Sequence, residues 1–216
     1  GTIILTDAAD ATSSGASGDS NAVLRALVDG GYQGSVLAPI VDAPAVAAAM
    51  AAGVGGTVRT TLGGQADRAR FAAMPFEGVV EALGDGRYRS ESDGLECDAG
   101  PTAVLRSGSV TVVVTSRPVM LHDRSLFLAS GQDPRSFDAV VVKSPRCEPR
   151  LFDAWAARTV HIDAPGSTSA NLQSLGHIRC PRPVFPLDGD VAFEPSVELY
   201  SRPRYAVLTS DRRSVA

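Results

Sequence analysis

The sequence predicts an α/β fold: a mixed sheet with a parallel portion, flanking helices and an antiparallel hairpin region in the middle. Three observations carry that expectation. Apolar, β-branched runs alternate with helical patterns over residues 2–62. Turn-separated strand pairs replace them in the middle, and the strand–helix alternation then returns before a proline-rich end.

Thr2–Thr6 is apolar and β-branched without alternation, as in a strand buried on both faces. A small-residue loop from Asp7 to Asp19 follows, then a helix capped by Asp19 or Ser20. Val23, Leu24, Leu27 and Val28 form its apolar face, and Gly30-Gly31 ends it. Ser35–Val41 is the next strand. Asp42 caps a second helix with Pro44 in its first turn and Gly53 at its end. Gly56–Leu62 completes a strand–helix alternation of the mainly parallel kind.

Phe76–Leu83 and Arg87–Ser90 flank Gly84-Asp85-Gly86, and Thr102–Arg106 and Val110–Thr115 flank Ser107-Gly108-Ser109; both read as hairpins. A helix is expected over Asp123–Ser130, a strand over Ala139–Val142, a helix over Pro149–Ala157 and a strand over Thr159–Ile162. Leu151, Phe152 and Trp155 share one side of that last helix, a core stripe. The domain is expected over 1–190, with an irregular tail over 191–216.

Length and charge narrow the function. The 216 residues, 44% hydrophobic, suffice for one core that buries roughly 70% of the unfolded surface. Twenty Lys plus Arg face 24 Asp plus Glu, with no basic stripe, which argues against a nucleic-acid binder. The most apolar stretch, Val36–Val58, is broken by Asp42, prolines and glycines, so no membrane-spanning helix is expected. The start enters a strand directly, without a signal peptide, as in a piece of a longer chain. Cys97, Cys147 and Cys180 have no paired spacing, which favours a reduced, cytoplasmic protein over a disulfide or zinc-knuckle scaffold. Lys143 is the only lysine in the chain.

The first strand–loop–helix junction is the most informative motif. A glycine-bearing loop that ends at a helix start aims backbone N–H groups and the positive end of a helix dipole at one spot, suited to an anion or an oxyanion. It lacks the Gly-Lys-Ser/Thr of a P-loop and the full dinucleotide fingerprint. The plainer reading is a tight turn at Gly15 and Gly18 before a capped helix. Asp7, Asp10 and Asp19 surround the loop as ligands, a base or turn formers. His161 and Asp163, two apart on a strand, face one way and are either two metal ligands or ordinary surface groups. Cys147 is a nucleophile only if a distant His joins it; otherwise it is a packing thiol. No Gly-x-Ser-x-Gly elbow is present.

The order of segments resembles the carboxy-terminal domain of the MlrC (microcystinase C) metallopeptidase-like family. The similarity runs through Thr6-Asp7-Ala8-Ala9-Asp10, Gly15-Ala16-Ser17-Gly18-Asp19, Ala52-Gly53-Val54-Gly55 and Leu62-Gly63-Gly64. It continues through Gly100–Arg106, Val114–Arg117, Gly131–Pro134, Val142-Lys143-Ser144, Asp163–Gly166 and Arg182–Asp188. The resemblance implies a domain of a larger zinc-dependent peptide or amide hydrolase. Its metal ligands would lie mostly in an amino-terminal domain of the same natural chain, with none assigned here. Asp10, Asp19 and Lys143 are the implied catalytic positions; Gly15, Ser17, Gly18 and Ser144 would bind substrate or an anion. A small peptide or amide is the implied substrate, with no nucleic acid or membrane partner and room for a homo-oligomer. The sequence departs from the family where Ala11, Thr12, Ser13 and Ser14 replace an asparagine, a proline and glycines, and where Cys147 replaces a histidine. A different substrate or lost activity would follow from those departures. The rival functions are a non-catalytic module for a small anion or other ligand, and a structural or oligomerisation domain.

Overall fold

The computed structural model describes residues 1–199 except Arg146, Glu148 and Phe193. Gly1–Ile178 is one unit and the chain from Arg179 a second. In the second, the Asp188 carboxylate takes the Arg182 guanidinium and the Val184 N–H at 2.7 Å within an irregular segment. Of the tail expected over 191–216, residues 200–216 lie outside the described residues.

The first unit is built on an eight-stranded mixed sheet. Its strands are β1 (Ile3–Asp7), β2 (Val36–Val41), β3 (Thr57–Leu62), β4 (Met74–Gly84), β7 (Thr102–Ser107), β8 (Val110–Thr115), β9 (Ala139–Val142) and β10 (Arg158–Ile162). A separate two-stranded sheet pairs β5 (Arg87–Arg89) with β6 (Glu96–Asp98). The order in the main sheet is β10-β1-β9-β2-β8-β7-β4-β3. The first five strands in that order run parallel and the rest antiparallel. The α/β class and the mixed sheet are as the sequence predicts.

Side chains that alternate along the strands divide the core into two layers. Leu5, Ala38, Ile40, Val112 and Val141 pack under α1 (Ala22–Asp29) and α2 (Ala43–Ala52). Ile4, Leu37, Val113, Val140 and Val142 pack with Phe127 of α3 (Ser125–Ala129) and Phe152 of α4 (Pro149–Phe152) on the other face. The β1–α1–β2 connection thus passes over one face and β9–α4–β10 over the other. β1 and β9 are neighbours whose connections leave in opposite directions. That is a topological switch point, where open α/β sheets form a crevice at the carboxyl ends of the strands.

Three local expectations are corrected. β3 does not continue the parallel pattern; it is an edge strand antiparallel to β4, with Thr57 opposite Val79 and Leu62 opposite Met74. Its alternating exposure suits a strand buried on one face only, the antiparallel kind. Gly84-Asp85-Gly86 does not turn a hairpin either, because β4 is taken up by β3 and β7 and the chain leaves the sheet. The Ser107-Gly108-Ser109 hairpin does form, tightened so that Ser107 itself pairs with Val110. Finally, α4 stops at Phe152 rather than Ala157. The Trp155 indole N–H takes the Leu151 carbonyl at 2.6 Å, and the Ala157 N–H already joins the carbonyl of Thr2, just before β1, at 2.8 Å.

Candidate functional site

The switch point is filled by a buried hydrogen-bonded lattice rather than left open. Lys143 follows the last residue of β9 and Asp10 lies just past β1, so adjacent strand ends bring them together. The Lys143 ammonium donates to Asp10 Oδ2 at 2.6 Å, to the Gly18 carbonyl at 2.9 Å and to the Ser20 carbonyl at 2.6 Å. All three of its hydrogens are used. Asp10 also accepts the Gly18 N–H at 2.9 Å and the Ser20 N–H at 2.8 Å. Lys143 is 2% exposed and Asp10 1%.

Gly18 makes this closure possible. Its φ is +77°, and a Cβ there would stand 2.6 Å from Val41 Cγ2 and 2.7 Å from Thr12 Cγ2. Asp7 anchors the start of the loop by accepting the Ala9 N–H at 3.0 Å and the Asp10 N–H at 3.3 Å. Thr168, after β10, closes it from the other side. Its hydroxyl donates to the Ala8 carbonyl at 2.8 Å and receives the Ala11 N–H at 3.2 Å.

Asp19 does not cap α1, contrary to expectation. Asn21 is the first flanking residue, and Ser20 Oγ accepts the Ala22 N–H at 3.2 Å. The Asp19 carboxylate turns to the loop after β3, accepting the Ala66 N–H at 2.7 Å as well as the Ser17 hydroxyl. Its backbone carbonyl takes the Gly64 N–H at 3.0 Å. Asp42 caps α2 through Ala45 N–H at 2.9 Å and also accepts the Gly63 N–H at 2.8 Å. Asn21 Nδ2 ties down the Leu62 and Ala72 carbonyls at 2.7 and 2.9 Å. Two loops are thereby fused into one rigid body at the strand ends.

The carboxyls differ electrostatically. Burial holds Asp7 above the ordinary range, with Lys143 opposing and Asp10 adding to the rise. Burial likewise raises Asp42 against the pull of two amides. Burial also pushes Asp19 upward, but the Ser17 hydroxyl and the Ala66 and Asp67 amides outweigh it, and the net shift is downward. A group raised in the folded state penalises that state when ionised and loses the penalty as pH falls through its folded pKa. Asn at position 7 keeps an oxygen for Ala9 and Asp10. Asp7→Asn is therefore expected to preserve or raise stability at about pH 8, with its advantage shrinking towards about pH 4. Denaturant unfolding at both pH values checks this; a variant less stable at the higher pH contradicts it.

Among the other expected site residues, Ser144 is buried next to Lys143, while Gly15 is exposed with open space where its Cβ would be. Ser13, Ser14 and Gly15 are the exposed tip of the loop, and Ser17 is half-buried beneath it. His161 and Asp163 are not paired: His161 Nδ1 bonds Thr6 Oγ1 at 2.8 Å, and Asp163 accepts from Asn171 at 3.2 Å. Burial pushes the Cys147 thiol up to about 12, the opposite of what an activated nucleophile needs.

Comparison with known proteins matches this architecture to one family. The family described as MlrC C-terminus covers residues 5–179. The chain belongs to that family. Microcystinase C of a Sphingomonas species is 27% identical over 187 residues, which are 86% of this chain and 36% of the relative. A crystal structure of a "Putative metallopeptidase" from Mesorhizobium sp. BNC1 superposes with a TM-score of 0.78 at 30% identity, over 89% of this chain and 39% of that one. The MlrC C-terminus chain thus spans little more than a third of the relatives it matches.

Relatives of that description imply a metal ion, and the described residues do not supply a ligand set that fits one. Among the described residues no group of three or more His, Cys, Asp or Glu side chains is placed to hold an ion. The carboxylates at the switch point are engaged by amides, a hydroxyl and Lys143. No helix among the described residues is long and apolar enough to cross a membrane.

Sequence reasoning missed Thr168, Asn21 and the second bond of Asp42. Asp42 stood out only as a cap, and Asn21 did not stand out at all, since local pattern gives the cap of that helix to Asp19 or Ser20. Thr168 follows the Asp163–Gly166 block, yet nothing local marks a threonine that bonds a loop more than 150 positions away.

Proposed function

We propose that this chain is the carboxy-terminal portion of a zinc-dependent hydrolase of peptide or amide bonds. In this reading the metal ligands lie in an amino-terminal domain of the same longer, cytoplasmic polypeptide, and this domain completes the cleft. The observation that carries it is the Lys143 lattice at the switch point, where this fold class places its ligands. The family membership and the relatives' names supply the reaction class.

The burial of Asp10, Asp19 and Lys143 gives each a positioning role. Lys143 and Asp10 hold the first loop in shape, and Asp19 carries the 63–73 loop beside it. The exposed small-residue tip Ser13-Ser14-Gly15 then offers hydroxyls and backbone to a substrate. A loop fixed before substrate arrives costs little reorganisation during reaction. The resemblance to the family departs at Ala11–Ser14, which run into that tip, so substrate selection is assigned to it.

The test is metal content and peptide hydrolysis of the full-length natural protein beside this 216-residue chain. Zinc and turnover in the longer protein, with neither in this chain, is the expected result. A metal-free, inert full-length protein overturns the reading.

A further inference from the structure

The loop that Asp19 draws to the switch point carries a cation without an acid of its own. Gly64 and Ala66 both bond Asp19, at 3.0 and 2.7 Å, which seats Gln65 between two anchored residues. Arg68 leans on that residue: its Nε reaches the Gln65 carbonyl at 3.3 Å and its Nη2 the Gln65 Oε1 at 3.5 Å. The guanidinium therefore stays exposed on the loop that Asp19 anchors. Its neighbour Arg70 is paired with Asp67 at 2.9 Å, and Arg59 with Glu77 at 3.0 Å. Arg68 pairs with no carboxylate among the described residues.

The charge balance of this end of the sheet gives that cation a task. Asp7, Asp10, Asp19 and Asp42 crowd the strand ends, and Lys143 has spent all its donors inside. An anionic group that approached these strand ends would meet that excess of carboxylates unless an exposed cation received it. A guanidinium offers two parallel N–H donors that match a carboxylate, and the long bonds to Gln65 are readily exchanged for such a pair.

We propose that Arg68 recognises a carboxylate of the substrate, so that the preferred substrates are peptides bearing a free terminal carboxylate close to the bond that is cut. The inference rests on the peptide-hydrolase reading above and names its substrate class.

The test uses the full-length natural protein with a set of short peptides, each prepared as the free acid and as the terminal amide. Binding is followed by calorimetry and turnover by product release. In Arg68→Gln, Kd and KM for the acids are expected to rise about tenfold, those for the amides to stay, and kcat to hold. Arg68→Lys is expected to recover part of the loss, and Arg70→Gln to leave the acid-to-amide ratio unchanged. An Arg68→Gln protein that weakens acids and amides equally, or neither, overturns the proposal. If the wild type binds acids through Arg68 yet cleaves nothing, carboxylate recognition stands and the hydrolase reading fails.

Discussion

Lys143→Met is expected to lower the unfolding free energy by about 3–5 kcal/mol, the cost of leaving one partner of a buried ion pair uncompensated. Methionine matches the length of the side chain but gives nothing to Asp10, Gly18 O or Ser20 O. Asp10 would then keep two amide bonds while its charge sits at 1% exposure without a cation. An exposed pair would cost only about 0.2–1 kcal/mol, so the magnitude discriminates. The double variant Asp10→Asn/Lys143→Met is expected to recover part of the loss, since no charge is then buried while the single Asn oxygen accepts one of the two amides that Asp10 takes on separate oxygens. Urea unfolding of the wild type and the two variants measures both effects. A single-variant loss below about 1 kcal/mol would place the pair in water.

Gly63→Ala is the second large effect. Gly63 has φ +65°, and its Cβ would stand 2.2 Å from the Asp19 carbonyl oxygen, a backbone atom that cannot swing aside. The left-handed conformation alone costs alanine roughly 1–2 kcal/mol. Relieving the clash must also stretch the Gly63–Asp42 and Gly64–Asp19 bonds, which suggests a total of about 3 kcal/mol. Gly15→Ala is the control: its φ is +93° but nothing lies within 4 Å, so only the conformational cost applies, about 1 kcal/mol. Thermal unfolding compares them. Equal losses at the two positions would show that the 63–73 loop is not locked to Asp19.

Much of the fold is legible from local pattern. β1, α1, β2 and α2 announce themselves through apolar runs, Asp42, Pro44 and paired glycines. Where pattern failed, pairing partners decided. β3 looks like the next strand of a parallel series because a short helix precedes it, yet its exposed Thr57, Arg59 and Thr61 alternate with the more buried Val58, Thr60 and Leu62 as in a strand covered on one face. The Gly84–Gly86 turn signal is real, but β7 competes for β4 and wins.

The site was half legible. The aspartates, glycines and Lys143 were visible as candidates, but which of them meet depends on β9 lying beside β1, which no local signal fixes. One hint was available. Lys143 is the single lysine among 20 basic residues. A compact ammonium can send three donors to converging carbonyl and carboxylate oxygens within a small buried space. The planar guanidinium fork of arginine cannot.

The central claim is that this lattice holds a loop that a larger hydrolase needs. The direct measurement is peptide turnover by the full-length natural protein carrying Asp10→Asn/Lys143→Met, with bound zinc and folding monitored in parallel. The predicted result is a folded protein with its zinc retained and kcat/KM reduced by about a hundredfold, as misplacing a positioned group by about 1 Å costs. Unchanged turnover in that folded, zinc-loaded variant would contradict the claim and leave the Lys143 lattice a matter of stability alone.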